Sequence, residues 1–206
     1  MKLLIAVPTM DTVPVEFLVS LANLIGKLKG DGMDCELRIE NGTLVYYARE
    51  ALARYAILKK FSHVLWLDSD MVFSPEIVED LSFCGKPFVT GIAHSRRPPF
   101  SSCIFKEIHP GVQKWQGNEY PKAAFEIAAC GMACVLMDVE ILRDVSDKFG
   151  LMFMPTDTYG EDVAFCLRAT RCGYKIFAEP SVRVGHVGKR VIYPEDWMED
   201  LVETKK

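Results

Sequence analysis

The strongest constraint on the fold is a regular alternation between Lys2 and Leu81. "KLLIAVP" (2–8) is a short apolar run that ends in Pro-Thr, as a buried strand entering a loop does. In "PVEFLVSLANLIGKLKG" (14–30), Phe17, Leu18, Leu21, Leu24, Ile25 and Leu28 recur at helical spacing, with Pro14 near the start and Gly30 at the stop. "DCELRIE" (34–40) alternates as a second strand. Residues 44–60 read as a second helix that Thr43 is placed to cap. "HVLWLD" (63–68) is a third strand, and "SPEIVEDL" (74–81) a short helix with Ser74 ahead of Pro75. Such β-α-β-α-β-α order predicts an α/β fold with a mainly parallel sheet and helices on both faces.

"KPFVTGIA" (86–93) continues as a fourth strand, after which the texture changes. Residues 94–128 are rich in Pro, Gly and turn residues and read as a loop-rich β insertion. "GMACVLMD" (131–138) returns to a strand, and "VEILRDV" is a helix. "EDVAFCLRATRCG" (161–173) is another, ended by Gly173. "YKIFAEP" and "SVRVGHVG" are two further strand-like pieces. The expected organisation is one domain over 1–188 and a polar tail over 189–206.

Composition narrows the function classes. Half of the 206 residues are hydrophobic and the formal net charge is −4, which suits a globular chain and argues against a nucleic-acid partner. No run of about 20 uncharged apolar residues is present, so no transmembrane segment and a cytoplasmic location are expected. The seven cysteines contain no CxxC pair, which leaves buried reduced thiols as the plain reading.

The chemistry concentrates at "FSHVLWLDSDMVFSPE" (61–76), where an apolar strand ends in Asp68-Ser69-Asp70. Alternate residues of an extended stretch point the same way, so both carboxylates face one site. Two adjacent carboxylates repel unless a cation joins them, and no Lys or Arg lies between Phe61 and Pro75. Hard oxygen ligands suit magnesium, manganese or calcium. Capping of the next turn by one Asp and solvation of the other is the competing account.

In context, the chain resembles the GT-A nucleotide-sugar glycosyltransferases, family-2-like branch. "AVPTMD" (6–11) resembles the nucleoside-holding first loop, and "YYAREALARYAILKKFSHVLWLDSD" (46–70) the Ala-Arg helix followed by the DxD strand. "CGMACVLMDVEIL" (130–142) resembles the Gly-led strand beside the sugars. "YGEDVAFCLRATRCGYKIFAEPSVRVGHVG" (159–188) resembles the Glu-Asp helix and the His after the last strand. The resemblance implies a GT-A (Rossmann-like) fold, a Mn2+ or Mg2+ ion, a nucleotide-sugar donor (UDP- or GDP-sugar) and a carbohydrate or other hydroxyl acceptor. It implies metal ligands at Asp70, Asp68 (directly or through water, or on the ribose) and His186. It implies a general base at Asp162, with Glu161 beside it. Donor contacts are implied at Pro8, Thr9, Asp11, Glu40, Arg49, Ser69, Gly131 and Met132.

Each residue has a plainer role beside this one. Asp162 and Glu161 suit a helix first turn, His186 a cap or core position, and Arg49 a helix-surface ion pair. His94, Arg96 and Arg97 stand in the insertion, where Arg suits phosphate or carboxylate and a solvated loop is equally consistent. Lys189 and Arg190 are candidates to reach a diphosphate. Three other functions compete: a sugar nucleotidyltransferase, a turnover-deficient nucleotide-sugar-binding protein and a purely structural domain. The first is disfavoured because "AVPTMDTVP" lacks the glycines such enzymes carry in that loop.

Overall fold

The computed structural model describes residues 1–108, 113–115, 119–188 and 191–193. Its elements follow the predicted order. They are β1 (Lys2–Pro8), α1 (Val15–Gly30), β2 (Asp34–Glu40), α2 (Val45–Leu58), β3 (His63–Leu67), β4 (Met71–Phe73), α3 (Ile77–Phe83) and β5 (Phe88–Ile92). The insertion carries β6 (Ile104–Glu107), β7 (Gln113–Lys114) and β8 (Phe125–Ile127), and β9 (Ala129–Cys130) directly follows it. Then come β10 (Cys134–Asp138), α4 (Val139–Phe149), α5 (Glu161–Arg171), β11 (Ile176–Val187) and β12 (Val191–Ile192).

The main sheet runs β12-β11-β5-β10-β3-β1-β2, with β4 and β8 pairing onto β11. β2, β1, β3, β5 and β11 share one direction, and β10 runs against both β3 and β5. The mainly parallel α/β fold read from the sequence is therefore present, with one inverted strand at its centre. β6, β7 and β9 form a separate three-stranded sheet.

Strict alternation along β1 divides the core. Leu3, Ile5 and Val7 face α1 and α3, through Phe17, Leu21, Leu24, Ile77 and Leu81. Leu4 and Ala6 face the other layer, where α2, α4 and α5 supply Leu52, Ala56, Leu142, Val145 and Phe165. Burial on both faces explains why these strands read as continuous apolar runs.

Several local expectations need correction. Thr43 does not cap α2: Leu44 occupies that position and makes no side-chain cap bond. The helix expected from Ser74 begins at Ile77, because Met71–Phe73 first forms β4 against β11. The Ser74 hydroxyl instead engages Glu76, accepting its N–H and donating to its carboxylate. The two terminal strand-like pieces are one strand, β11, whose register slips between Glu179 and Arg183, around Pro180. Proline cannot donate to a ladder, so the irregularity absorbs it. Val182 is thereby pushed over Gly91, where a Cβ would meet Val182 Cγ1 at 2.8 Å. Lys189, Arg190 and most of the tail lie outside the described residues. Among the described residues, no helix is long and apolar enough to cross a membrane.

A candidate anion- and cation-binding cleft

Parallel strands of an open α/β sheet end at a common edge, and ligands bind beyond it. There the chain forms a cleft of about 310 Å³, lined by Pro8, Thr9 and Met10 after β1, Thr43 and Val45 before α2, Arg49, Asp68-Ser69-Asp70, Arg96 and Glu161. Seven residues singled out in the sequence for donor, metal or catalytic roles thus line one cleft: Pro8, Thr9, Arg49, Asp68, Ser69, Asp70 and Glu161.

Arg49 organises the floor. Buried residues of α2 recur at Ala48, Arg49, Leu52, Ala53 and Ala56, so its buried stripe carries the arginine inward. The guanidinium donates to Asp68 Oδ1 at 2.6 Å and to Glu161 Oε1 at 3.4 Å, and sits 5.9 Å from the Trp66 ring centroid. Burial works against its charge, but Asp68 and Glu161 outweigh this and raise its pKa. The role of Arg49 is thus an interior ion pair and not a helix-surface one.

Asp70 lies on the other lip. Its Oδ2 accepts from Arg96 Nη1 at 2.6 Å and lies 3.1 Å from His186 Nε2. The His186 ring is fixed from behind, since Nδ1 lies 2.8 Å from the His94 carbonyl oxygen and must donate to it. Nε2 then either carries a second proton or presents a lone pair toward Asp70. Burial opposes ionisation of both groups. Their mutual attraction overrides it, lowering the Asp70 pKa and raising that of His186. The two carboxylates of Asp68-Ser69-Asp70 are therefore neutralised by arginines remote in sequence, one from α2 and one from the insertion. The absence of a cation between Phe61 and Pro75 gave no sign of this.

Asp162 stands behind Glu161 in the first turn of α5, where Oδ1 accepts the Val163 N–H at 2.7 Å. Its Oδ2 faces Gly131, where a Cβ would lie 3.7 Å away and 3.5 Å from Cys103 Cβ. Burial, then the neighbouring Glu161 charge, raise its pKa. The loop before α5 is tied to α2, because Glu50 Oε2 accepts the N–H groups of Met152 and Phe153 at 2.8 and 3.1 Å. Glu50 follows Arg49 directly, so one turn of α2 holds both the floor and the approach to Asp162.

Other expected donor residues lie elsewhere. Asp11 is exposed and Glu40 is half-buried 3.8 Å from Arg38, and neither lines the cleft. Glu40 contributes through its backbone, accepting the Thr9 N–H at 2.9 Å. Met132 is buried in the core, and Gly131 is half-buried with its N–H donated to the Cys103 carbonyl at 2.8 Å; neither lines the cleft. Met10 and Val45 were not singled out in the sequence, and Thr43 was read there only as a helix cap. The rule that strand-end loops form the site was the signal available for them.

Two buried polar atoms in the cleft walls, Thr9 Oγ1 and Arg49 Nη1, have no hydrogen-bond partner among the described residues. Native proteins rarely leave such groups unsatisfied, so they favour a polar ligand. Among the described residues no three His, Cys, Asp or Glu side chains converge as a complete cation site. Asp70 and His186 offer two ligands of suitable chemistry. Magnesium and manganese accept such partial protein ligation when phosphates and water supply the rest.

No protein-family model matches the sequence. No curated protein matches it significantly. The fold is shared with A197 from STIV, at 19% identity over 95% of this chain and 92% of that one, with a TM-score of 0.65. It is also shared with a Bacillus anthracis structure assigned as a glucose-1-phosphate thymidylyltransferase, in complex with a sucrose. That match has 9% identity over 89% of each chain and a TM-score of 0.50. At these identities the likeness shows the fold alone: a mixed α/β, Rossmann-like sheet flanked by helices.

Proposed function

We propose that the chain is a glycosyltransferase that moves a sugar from a nucleotide-sugar donor to an acceptor hydroxyl. The observation that carries this reading is the joining, in one cleft, of a β1-end loop, a buried arginine, the Asp68-Ser69-Asp70 turn and Glu161 at the start of α5, with Asp162 directly behind it. The sequence resemblance to GT-A enzymes supports the same roles.

In this reading the nucleoside lies along Pro8 to Met10 and Thr43. The diphosphate lies over Ser69, near Arg96. Arg49, fixed by its two acids, holds Asp68 and Glu161 in place. Mn2+ or Mg2+ would be held by Asp70 and His186, and would supply charge stabilisation to the departing diphosphate. The acceptor oxygen forms its bond to the anomeric carbon on the Gly131 side. The anomeric C–O bond to the diphosphate breaks, and its electron pair leaves with the phosphate. The acceptor proton passes to Asp162. A carboxyl whose pKa burial has raised is the stronger base, and this favours that role and an inverting transfer.

The fold neighbour assigned as a thymidylyltransferase favours a second reading, nucleotidyl transfer to a sugar phosphate. The glycine-free first loop weighs against it.

The experiment is a thermal-shift and calorimetric screen of UDP, GDP, CDP and TDP and their sugars, with and without manganese. A manganese-dependent stabilisation by one nucleotide, lost in Asp70→Ala, is expected. Asp162→Asn should keep that binding and lose transfer. Stabilisation by a nucleoside triphosphate with a sugar 1-phosphate, and by no nucleotide sugar, would favour the second reading. No stabilisation by any of them overturns both.

A further inference from the structure

β2 closes one end of the main sheet, and among the described residues nothing pairs with its outer edge. Its seven residues pair with β1 in unbroken register from Lys2↔Asp34 to Pro8↔Glu40. The strand has no proline, lysine or bulge to stop it from acquiring another strand, and its four charged residues, Asp34, Glu36, Arg38 and Glu40, restrict any partner to one of complementary charge.

The direction of its backbone groups can be assigned. The Glu40 carbonyl accepts from Thr9 of the neighbouring chain segment at 2.9 Å, so even-numbered residues of β2 turn their N–H and C=O toward β1. Cys35, Leu37 and Ile39 present theirs outward. Lys29 Nζ indeed reaches the Cys35 carbonyl from outside, at 3.0 Å. The side chains alternate as well. Glu36 and Arg38 lie on the α2 face, where Tyr55 donates to Glu36 at 2.6 Å and the Arg38 guanidinium lies 4.0 Å from its ring centroid. Leu37 and Ile39 lie on the α1 face and are 36% and 46% exposed. Lys29 also marks the α1 flank that overlooks this edge. Ile25, Ala22 and Leu18 precede it at helical spacing on that flank, and Leu18 is exposed. An unpaired edge and an apolar strip thus run side by side.

We propose that this edge pairs with β2 of a second copy of the chain, forming a two-fold homodimer with one continuous sheet. A two-fold axis normal to the sheet keeps each face on its own side, so facing residues must share parity. Centring the axis on Leu37 sets Leu37 against Leu37, Cys35 against Ile39, and Glu36 against Arg38. The outward backbone groups of residues 35, 37 and 39 then form about six interchain hydrogen bonds. Glu36 and Arg38 fall at the closely spaced positions between them, where opposite charges attract best. Shifting the register by one step either way places Glu36 against Glu36 or Arg38 against Arg38. Among the described residues Arg38 Nε is buried without a hydrogen-bond partner, and this register brings a second carboxylate to a side chain whose own-chain neighbour Glu40 lies 3.8 Å away. Lys29 releases the Cys35 carbonyl on pairing. The one unfavourable pairing, Asp34 against Glu40, occurs twice, once at each end of the seam, where water and salt screen it.

The test is sedimentation equilibrium of the full chain. A dimer is expected. Arg38→Glu sets carboxylates opposite each other twice and weakens it by at least about tenfold. The double variant Glu36→Arg/Arg38→Glu restores complementarity and recovers the dimer. As an independent arm, Leu37→Cys should give a disulfide-linked dimer on mild oxidation, since facing hydrogen-bonded residues lie about 5.5 Å apart at Cα. A chain that stays monomeric at high micromolar concentration overturns the proposal, as it would if its own tail covered the edge. So does a dimer indifferent to Arg38→Glu, or one that the double variant fails to restore.

Discussion

Replacing Arg49 by methionine isolates the cation that holds the cleft together. Methionine keeps the stem volume and removes the charge. The Arg49 side chain is 3% exposed, whereas those of Asp68 and Glu161 are 33% and 18% exposed. Breaking a fully buried pair costs about 3–5 kcal/mol. Water can still reach both acids, and the bond to Glu161 is the weaker of the two, so a loss of about 2–3 kcal/mol is expected. For a chain of this size each kcal/mol is worth about 2–4 °C, which places the fall in Tm near 5–10 °C. Urea unfolding followed by circular dichroism measures it. A cycle with Asp68→Asn adds the decisive arm: the second substitution should cost about 1–2 kcal/mol less once Arg49 is gone. A loss below about 0.5 kcal/mol, or strict additivity, would refute the claim that Arg49 is held inside by its two acids.

Three further outcomes follow from the geometry. If the proposed donor site is right, Arg96→Gln should weaken nucleoside diphosphate binding by about tenfold and leave the apo Tm nearly unchanged, because its ion pair with Asp70 is half-exposed; calorimetry and thermal unfolding at two salt concentrations read the two. Asp162→Asn should raise stability at neutral pH. The folded pKa of Asp162 lies above its unfolded value, so ionisation disfavours the fold as pH rises through that interval, and the advantage of Asn should vanish below the carboxylate range; a pH series of Tm values checks the sign. Gly91→Ala should destabilise by about 1–3 kcal/mol, since its methyl group meets Val182 across the slipped register; chemical denaturation decides, and an unchanged midpoint would contradict the close approach.

Most of the layer structure was legible because it rests on periodicity. β1, α1, β2, α2, β3 and α5 announce themselves through alternation, helical spacing or doubly buried runs. What could not be read was set by distant partners. β4 has three residues and exists because β11 lies beside it. The inversion of β10 depends on where the insertion delivers the chain. In the cleft and beside it, residue types were readable at Asp68, Asp70, Asp162 and His186, but the partners of Asp68 and Asp70 were not. Arg49 reaches Asp68 across 19 positions and Arg96 reaches Asp70 across 26, and no local pattern encodes either pairing. Glu50 carries no sequence signal of its own, yet its carboxylate holds two amides a hundred or so residues away.

The inverted strand has a consequence during synthesis. β3 is complete at Leu67, but its second neighbour, β10, begins only at Cys134. At ribosomal speeds of about 5–20 residues per second, that edge waits on the order of ten seconds for its partner. For that interval the nascent chain presents Val64, Leu65, Trp66 and Leu67 along an open ladder. Any trigger-type chaperone, or a second nascent chain nearby, competes for this stretch before the molecule can seal its own centre.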